Sequence, residues 1–480
     1  MRSLLNKIVL LLIVLLLTLS CIAGASAEDT DTPAKDLTNY LSIRQDEGHK
    51  DAYGRLKIDN LYDFVRYAAY ETISLSWEKA TERPAYLCIQ WYTLPYHVEL
   101  RQLDQNGTML SEEPVGQTYD TVVSLSPETA SVTITPQRTG MSITRIALYS
   151  EGTLPPPFFP WKDTPHGMDY LVVATHPDDD TLFMGGIVPT YGAEQGYVGT
   201  IAYVTKPARL RVQEALLGAW EMGTVYYPLF LEFEDVFPIG LENHFLPEVV
   251  TLAFVRMLRE YRPLVVVSHD LNGEYGHPQH KIVSASIVDA CRLAADPTYD
   301  RSSYEQFGTW EVKKCYLHLY PENQFEMDMN KPLAAFGGRT ALEVARDAFQ
   351  KHRSQTGGAH YVHDETGLYP VNRLGMAYGT VDAGSDLFDN IDPTLFASYI
   401  PPESTPEPAP EQTQEPTSVP TQKPAVVPTA EPAPDPTPVP TQSSETKTGA
   451  KDILLPILYA LIGAAIASVC FLLFRRRKRS

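Results

Sequence analysis

Two short runs concentrate the groups that hold metals and move protons. The first is Thr175-His176-Pro177-Asp178-Asp179-Asp180. The second is Ser268-His269-Asp270, followed by Gly273-Glu274-Tyr275-Gly276-His277-Pro278-Gln279-His280. Imidazole is the commonest metal ligand, and carboxylates complete such sets. Two His and one Asp supply three protein ligands and leave one position of a catalytic zinc for water. A single His-Pro-Asp turn is an ordinary strand-end loop; His176-Pro177-Asp178 and His277-Pro278-Gln279-His280, each beyond a strand and each followed by a helix, together point to a site. The sequence has no His-Glu-x-x-His, no His-x-His-x-Asp-His, no Gly-x-Ser-x-Gly elbow and no phosphate-binding Gly-Lys loop, so rival signatures are missing.

The elements that must position these runs are legible around them. Tyr170 to Ala174 is a continuous apolar stretch, as buried parallel strands are. Ile201 to Val204 and Leu264 to Val267 read as further strands, and Leu210–Met222 and Val249–Tyr261 as helices. Strand–helix alternation predicts an α/β, Rossmann-like parallel sheet covered on both faces. In such sheets ligands bind beyond the carboxyl ends of the strands, so both clusters can meet in one crevice. Residues 36–152 read differently, as short alternating strands with an Asn106-Gly107 hairpin signal. That pattern predicts an antiparallel, jelly-roll-like β-sandwich. Ser142 to Gly152 resembles the last strand of discoidin-like, galactose-binding jelly rolls, over one strand only. Trp77, Trp91, Tyr92 and Tyr96 are candidates to stack on sugar, although core packing is the commoner fate of such aromatics. Leu154 to Trp161, with four prolines, reads as an interdomain linker.

The two ends address location. Residues 1–27 have a basic start, an apolar run and Ala25-Ser26-Ala27, the order of a secretory signal peptide. Residues 401–449 are dense in Pro, Thr, Glu and Gln and read as an extended stalk. Ile453 to Phe474 is uncharged and apolar, long enough for a bilayer of roughly 30 Å. The basic residues of 475–480 then predict a cytoplasmic tail and an outward-facing chain before it. Thr448-Gly449 before this span resembles a cell-wall sorting signal, but Glu445 and Thr446 stand where Leu-Pro belongs. The net charge of -20 argues against a nucleic-acid partner. Cys88, Cys291 and Cys315 are too few for a disulfide framework and read as small buried hydrophobes.

The chemical runs resemble the PIG-L/LmbE family of zinc-dependent N-acetylglucosaminyl deacetylases over about 168–392. His176-Pro177-Asp178-Asp179 matches the first family motif, with Asp180 in place of Glu. His277-Pro278 and His280 match the second, with Gln279 in place of Asp. Arg211-x-x-Glu214 and Phe349 to Gln355 resemble two further family elements. The resemblance implies Zn2+ held by His176, Asp179 and His280. It implies Asp178 as general base, and His277 as the group that steadies the oxyanion and protonates the leaving amine, with Tyr275 as an added donor. Arg211, His352 and Arg353 become candidates for holding the sugar. The expected organisation is a signal peptide, a β-sandwich over 28–153 that is a candidate carbohydrate binder, a deacetylase domain over 162–400, the stalk and the membrane helix. The expected activity is N-deacetylation of a sugar or glycan outside the cell. The alternative is a surface carbohydrate-binding protein whose metal domain does not turn over.

Overall fold

The computed structural model describes residues 32–398, apart from 46–53, 59, 78–79, 207, 236–244 and 359. The expected signal peptide, stalk, membrane span, basic tail and Thr448-Gly449 signal lie outside the described residues. Among the described residues no helix is long and apolar enough to cross a membrane.

The first lobe holds β1 (Ser42–Gln45), β2 (Val65–Tyr67), β3 (Ile73–Ser76), β4 (Pro84–Trp91) and β5 (Val98–Leu103). It continues with β6 (Met109–Pro114), β7 (Asp120–Ser124), β8 (Ser131–Pro136) and β9 (Met141–Ser150). These form two antiparallel sheets, β1-β3-β8-β5-β6 and β2-β9-β4-β7. Alternate residues of both sheets share one buried cluster, including Leu75, Leu100, Val132 and Ile134 from the first and Leu87, Ile89, Ile143 and Leu148 from the second. The period of two in the side chains makes this arrangement follow from the alternating sequence. The β5–β6 hairpin turns at Asn106-Gly107, where Gly107 takes φ 78° and Asp104 Oδ1 accepts from the Asn106 and Thr108 amides at 2.8 and 2.7 Å. Trp77 and Trp91 belong to the core, whereas Tyr92 and Tyr96 are exposed. Cys88, Cys291 and Cys315 are free and buried.

The second lobe is built on β10 (Met168–Ala174), β11 (Gly199–Lys206), β12 (Leu229–Glu234), β13 (Pro263–Ser268), β14 (Lys314–His318), β15 (Gln324–Glu326) and β16 (Arg373–Gly379). Their order is β12-β11-β10-β13-β14-β16-β15. The first five run parallel, but β16 pairs antiparallel with β14 and β15 antiparallel with β16. The expectation of a parallel sheet is therefore corrected to a mixed one, with an antiparallel edge contributed by 324–379. Strand β10 is buried along its whole length. Tyr170, Val172 and Ala174 enter one hydrophobic cluster, and Leu171 and Val173 enter another on the opposite face. Such two-sided burial explains the uninterrupted apolar run.

The chain leaves β10 toward β11 and β12 on one side, then returns to place β13 and β14 on the other. The strand order thus reverses between β10 and β13, which opens a crevice at their carboxyl ends. Both chemical runs follow these two strands directly.

The expected linker is not a free tether. Phe158 packs in a cluster with Cys88, Ala147 and Tyr149 of the first lobe. Phe159 stacks on Trp220 of the second at 4.5 Å, and Trp161 meets the same indole edge-on. Four prolines mark an irregular segment in the sequence, but the aromatics between them bind it to both lobes.

Candidate metal centre and active site

The loop after β10 turns sharply at Asp178, whose φ of 114° lies in the region L-residues avoid. A non-glycine residue held there stores of order 1–3 kcal/mol, a cost that clusters at functional sites. The helix Asp179–Met184 starts immediately afterwards. The loop after β13 is tightened by Gly273, Glu274 and Gly276, all at positive φ. A Cβ on Gly273 would stand 2.5 Å from the His277 carbonyl oxygen, so only glycine fits that turn. His277 precedes the helix Pro278–Leu293, and His280 lies in its first turn.

These loops bring three donor atoms together. His176 Nδ1 lies 3.1 Å from Asp179 Oδ2 and 3.1 Å from His280 Nε2, and His280 Nε2 lies 3.2 Å from Asp179 Oδ2. Each imidazole is oriented from its far side. His280 Nδ1 donates to Glu274 Oε2 at 2.7 Å, and His176 Nε2 faces Gln279 Oε1 at 3.1 Å and Asp235 Oδ1 at 3.6 Å. With those nitrogens protonated, His176 Nδ1 and His280 Nε2 point lone pairs at each other, an arrangement a cation resolves. Tetrahedral zinc with bonds of about 2.0–2.1 Å sets its ligand atoms about 3.3 Å apart, which this triangle matches. Two other groupings also have ligand atoms within 4.8 Å of one another: His176 with His277 and His280, and Asp179 with His269 and His280. His269 is excluded as a ligand because its Nε2 accepts the Thr175 amide at 2.9 Å while Nδ1 faces Glu274 Oε1 at 3.2 Å.

Glu274 is the hub behind the triangle. Besides His280 and His269 its carboxylate takes the Asp270 amide at 3.0 Å and faces His318 Nδ1 at 3.2 Å. Burial alone would raise its carboxyl, but the His269, His280 and His318 contacts hold it well below the usual carboxylate range. Fixing the rear nitrogen of a ligand in this way sets its tautomer and ring orientation.

Asp178 is buried beside Asp179 but is not part of the triangle. Burial and the Asp179 charge push its carboxyl up to about 8, against the pull of Arg211. A divalent cation held at Asp179 would add the opposing charge and favour ionised Asp178. Burial, with the His280 and His176 charges, lowers His277 to about 4. Tyr275 is 48 % exposed, its ring 5.8 Å from His277 and 5.7 Å from His280.

The candidate substrate groups divide. Arg211 turns inward: its terminal nitrogen donates to Asp178 Oδ1 at 2.9 Å and to the Pro177 carbonyl. It sets the charge around Asp178 and turns away from the surface. His352 is fully buried, with neither ring nitrogen hydrogen-bonded, and a Cβ on Gly218 would stand 2.7 Å from its Nε2. It cannot hold a sugar hydroxyl, and that expectation is corrected; burial lowers it to about 3 and keeps it neutral. Arg353 is exposed. Glu214 ties the two flanking elements together, accepting the Ser354 amide at 2.8 Å and hydroxyl at 2.6 Å. Asp180 is fully engaged despite its short side chain, accepting the Asp178 amide at 3.2 Å and the Tyr203 hydroxyl at 2.9 Å.

Glu274, Gln279, Asp235, His269 and His318 escaped assignment from the sequence. Asp235 and His318 stand at the ends of β12 and β14, so the strand-end argument used for β10 and β13 would have reached them.

Residues 171–291 match the sequence profile of the family described as GlcNAc-PI de-N-acetylase, PIG-L. Over this segment the chain is similar to the PIG-L/LmbE-like family. A 1D-myo-inositol 2-acetamido-2-deoxy-alpha-D-glucopyranoside deacetylase of Catenulispora acidiphila is 29% identical over 185 residues, 32% of this chain and 56% of its own length. Its counterpart in Geodermatophilus obscurus is 30% identical over 199 residues, 35% of this chain and 66% of its own. The chain therefore spans less than two thirds of either relative. The solved N,N'-diacetylchitobiose deacetylase from Pyrococcus horikoshii superposes with a TM-score of 0.31 at 18% identity, over 39% of this chain and 70% of that one.

Proposed function

We propose that this chain is a zinc-dependent hydrolase that removes acetyl groups from N-acetylated amino sugars or glycans. The observation that carries the reading is the triangle of His176 Nδ1, Asp179 Oδ2 and His280 Nε2 with the unliganded Asp178 carboxylate beside it. Zinc bound there would acidify a water molecule and polarise the acetamide carbonyl. Asp178 takes the proton of the attacking water on its carboxylate. His277, across from His176 with ring centroids 4.8 Å apart, steadies the developing oxyanion. Neutral at the outset, it takes up a proton as that negative charge raises its pKa, and passes the proton to the departing amine. Tyr275 offers a second donor to that oxyanion from the exposed side.

The two relatives are deacetylases of a 2-acetamido-2-deoxyglucopyranoside, which supports a hexosamine substrate. The sheet topology supports a Rossmann-like catalytic domain over 162–400, and the shared core of the first lobe supports a β-sandwich over 28–153. The signal peptide, stalk, span and basic tail of the sequence support export and anchoring, with the catalytic domain outside the cell. Acetate release from N-acetylated sugars, with and without chelator, tests the activity. Asp178→Asn is expected to keep the metal and lose about 10²–10⁴ in rate, since it removes a proton acceptor and no ligand. Zinc binding without acetate release from any sugar would favour the carbohydrate-binding alternative.

A further inference from the structure

Phe183 is buried among the rings behind the triangle, its centroid 5.9 Å from His280, 6.0 Å from His269 and 5.6 Å from His318. Two aromatic side chains lead outward from it. Tyr275 lies 6.5 Å away and is followed by His360 at 5.6 Å. Tyr369 lies 6.2 Å away and is followed by His363 at 5.6 Å, on which Tyr361 stacks at 4.1 Å. The outer members face solvent: Tyr361 is 59 % exposed and His360 is exposed.

The segment that carries them is held in place. Val362 and Val371 are buried in the core of the second lobe. Asp364 Oδ1 accepts the Thr366 amide at 3.1 Å and hydroxyl at 2.7 Å, and His363 Nδ1 accepts the Leu368 amide at 3.2 Å. Asn330 donates to Glu365 at 3.1 Å. The rings are therefore displayed from a pinned turn. Single exposed aromatics need no explanation, but a contiguous series running from a metal centre to solvent does.

We infer that the site continues outward into aromatic side chains on two branches, Tyr275 with His360 on one and Tyr369, His363 and Tyr361 on the other, that take the sugar ring next to the one being deacetylated. The inference rests on the deacetylase reading above and narrows it to substrates of at least two sugar rings. A pyranose presents an apolar C–H face and a rim of hydroxyls. Aromatic rings match the first, and phenol and imidazole edges match the second. A free amino sugar fills only the position at the metal and gains nothing from these residues.

The test compares N-acetylglucosamine with N,N'-diacetylchitobiose and the corresponding trisaccharide on the full-length protein. Replacing Tyr361 or His360 by Ala is expected to lower the ratio of kcat/KM for the trisaccharide over the monosaccharide about tenfold, chiefly through KM. Tyr361→Phe, which keeps the ring face, should preserve most of that ratio. Calorimetric binding of the trisaccharide to chelator-treated protein should weaken in parallel. An unchanged ratio with acetate still released overturns the aromatic extension and leaves the deacetylase reading standing. Trisaccharide binding that depends on Tyr361, without acetate release from any saccharide, sustains the extension and overturns the deacetylase reading. Neither binding nor release by the unaltered protein overturns both.

Discussion

Around the candidate metal triangle, neighbouring residues hold the side chains from behind. Glu274 serves His280, Gln279 and Asp235 serve His176, and Arg211 serves Asp178. Glu274→Gln puts an amide N–H where imidazole donors converge and loosens His280. Zinc affinity, measured by competition with a chelating dye, should fall about 10–100-fold. Arg211→Met tests the base through its charge. Arg211 opposes the burial and the Asp179 charge that raise Asp178, so its removal moves Asp178 further up. The base works only when ionised, and activity is lost as pH falls through its pKa. The acid limb of the kcat/KM profile should therefore shift to higher pH in Arg211→Met, with the metal retained.

Among the elements, the helix Arg209–Glu221 joins the two lobes to the site. Its first residue, Arg209, is buried and donates from Nε to the Trp91 carbonyl at 2.8 Å and from its terminal nitrogen to the Asp120 carboxylate. Two residues on, Arg211 reaches Asp178; five residues on, Glu214 pins Ser354. The same junction carries Tyr119, whose hydroxyl donates to Glu232 and whose amide donates to the Tyr227 hydroxyl at 2.8 Å. The first lobe therefore anchors the helix that places Arg211 against Asp178. Breaking one side of a buried pair leaves an uncompensated charge and costs about 3–5 kcal/mol. Asp120→Ala should lower stability to denaturant by that order and reduce turnover, although Asp120 belongs to the other lobe.

For the whole molecule, the chemistry of the proposed function faces the C-terminal edge of the parallel strands. If 453–474 spans a membrane, truncation before Asp452 should release active protein into the medium. A tag after Ser480 should stay protected from external protease while the catalytic lobe is cleaved. Loss of that tag from cell-bound protein would mean that Thr448-Gly449 is processed instead.

The sequence by itself carried the site's ingredients and their place on strand ends. His176, Asp179 and His280 stand in short runs after apolar strands, and strand periodicity and turn chemistry are local properties. The alternating strands of the first lobe and the Asn106-Gly107 turn were legible for the same reason. What depends on through-space contact was not. That His269 spends its lone pair on the Thr175 amide, that His352 is sealed against Gly218, and that Arg211 turns toward Asp178 follow from how helices pack on the sheet. The antiparallel edge strands and the aromatics that bind Leu154 to Trp161 into both lobes are of the same kind. Side-chain partners far apart in the chain, such as Asp120 and Arg209, 89 residues apart, or His176 and His280, 104 apart, are chosen only when the chain closes on itself. Tertiary structure alone decides them, because burial and hydrogen-bond satisfaction are properties of the packed molecule.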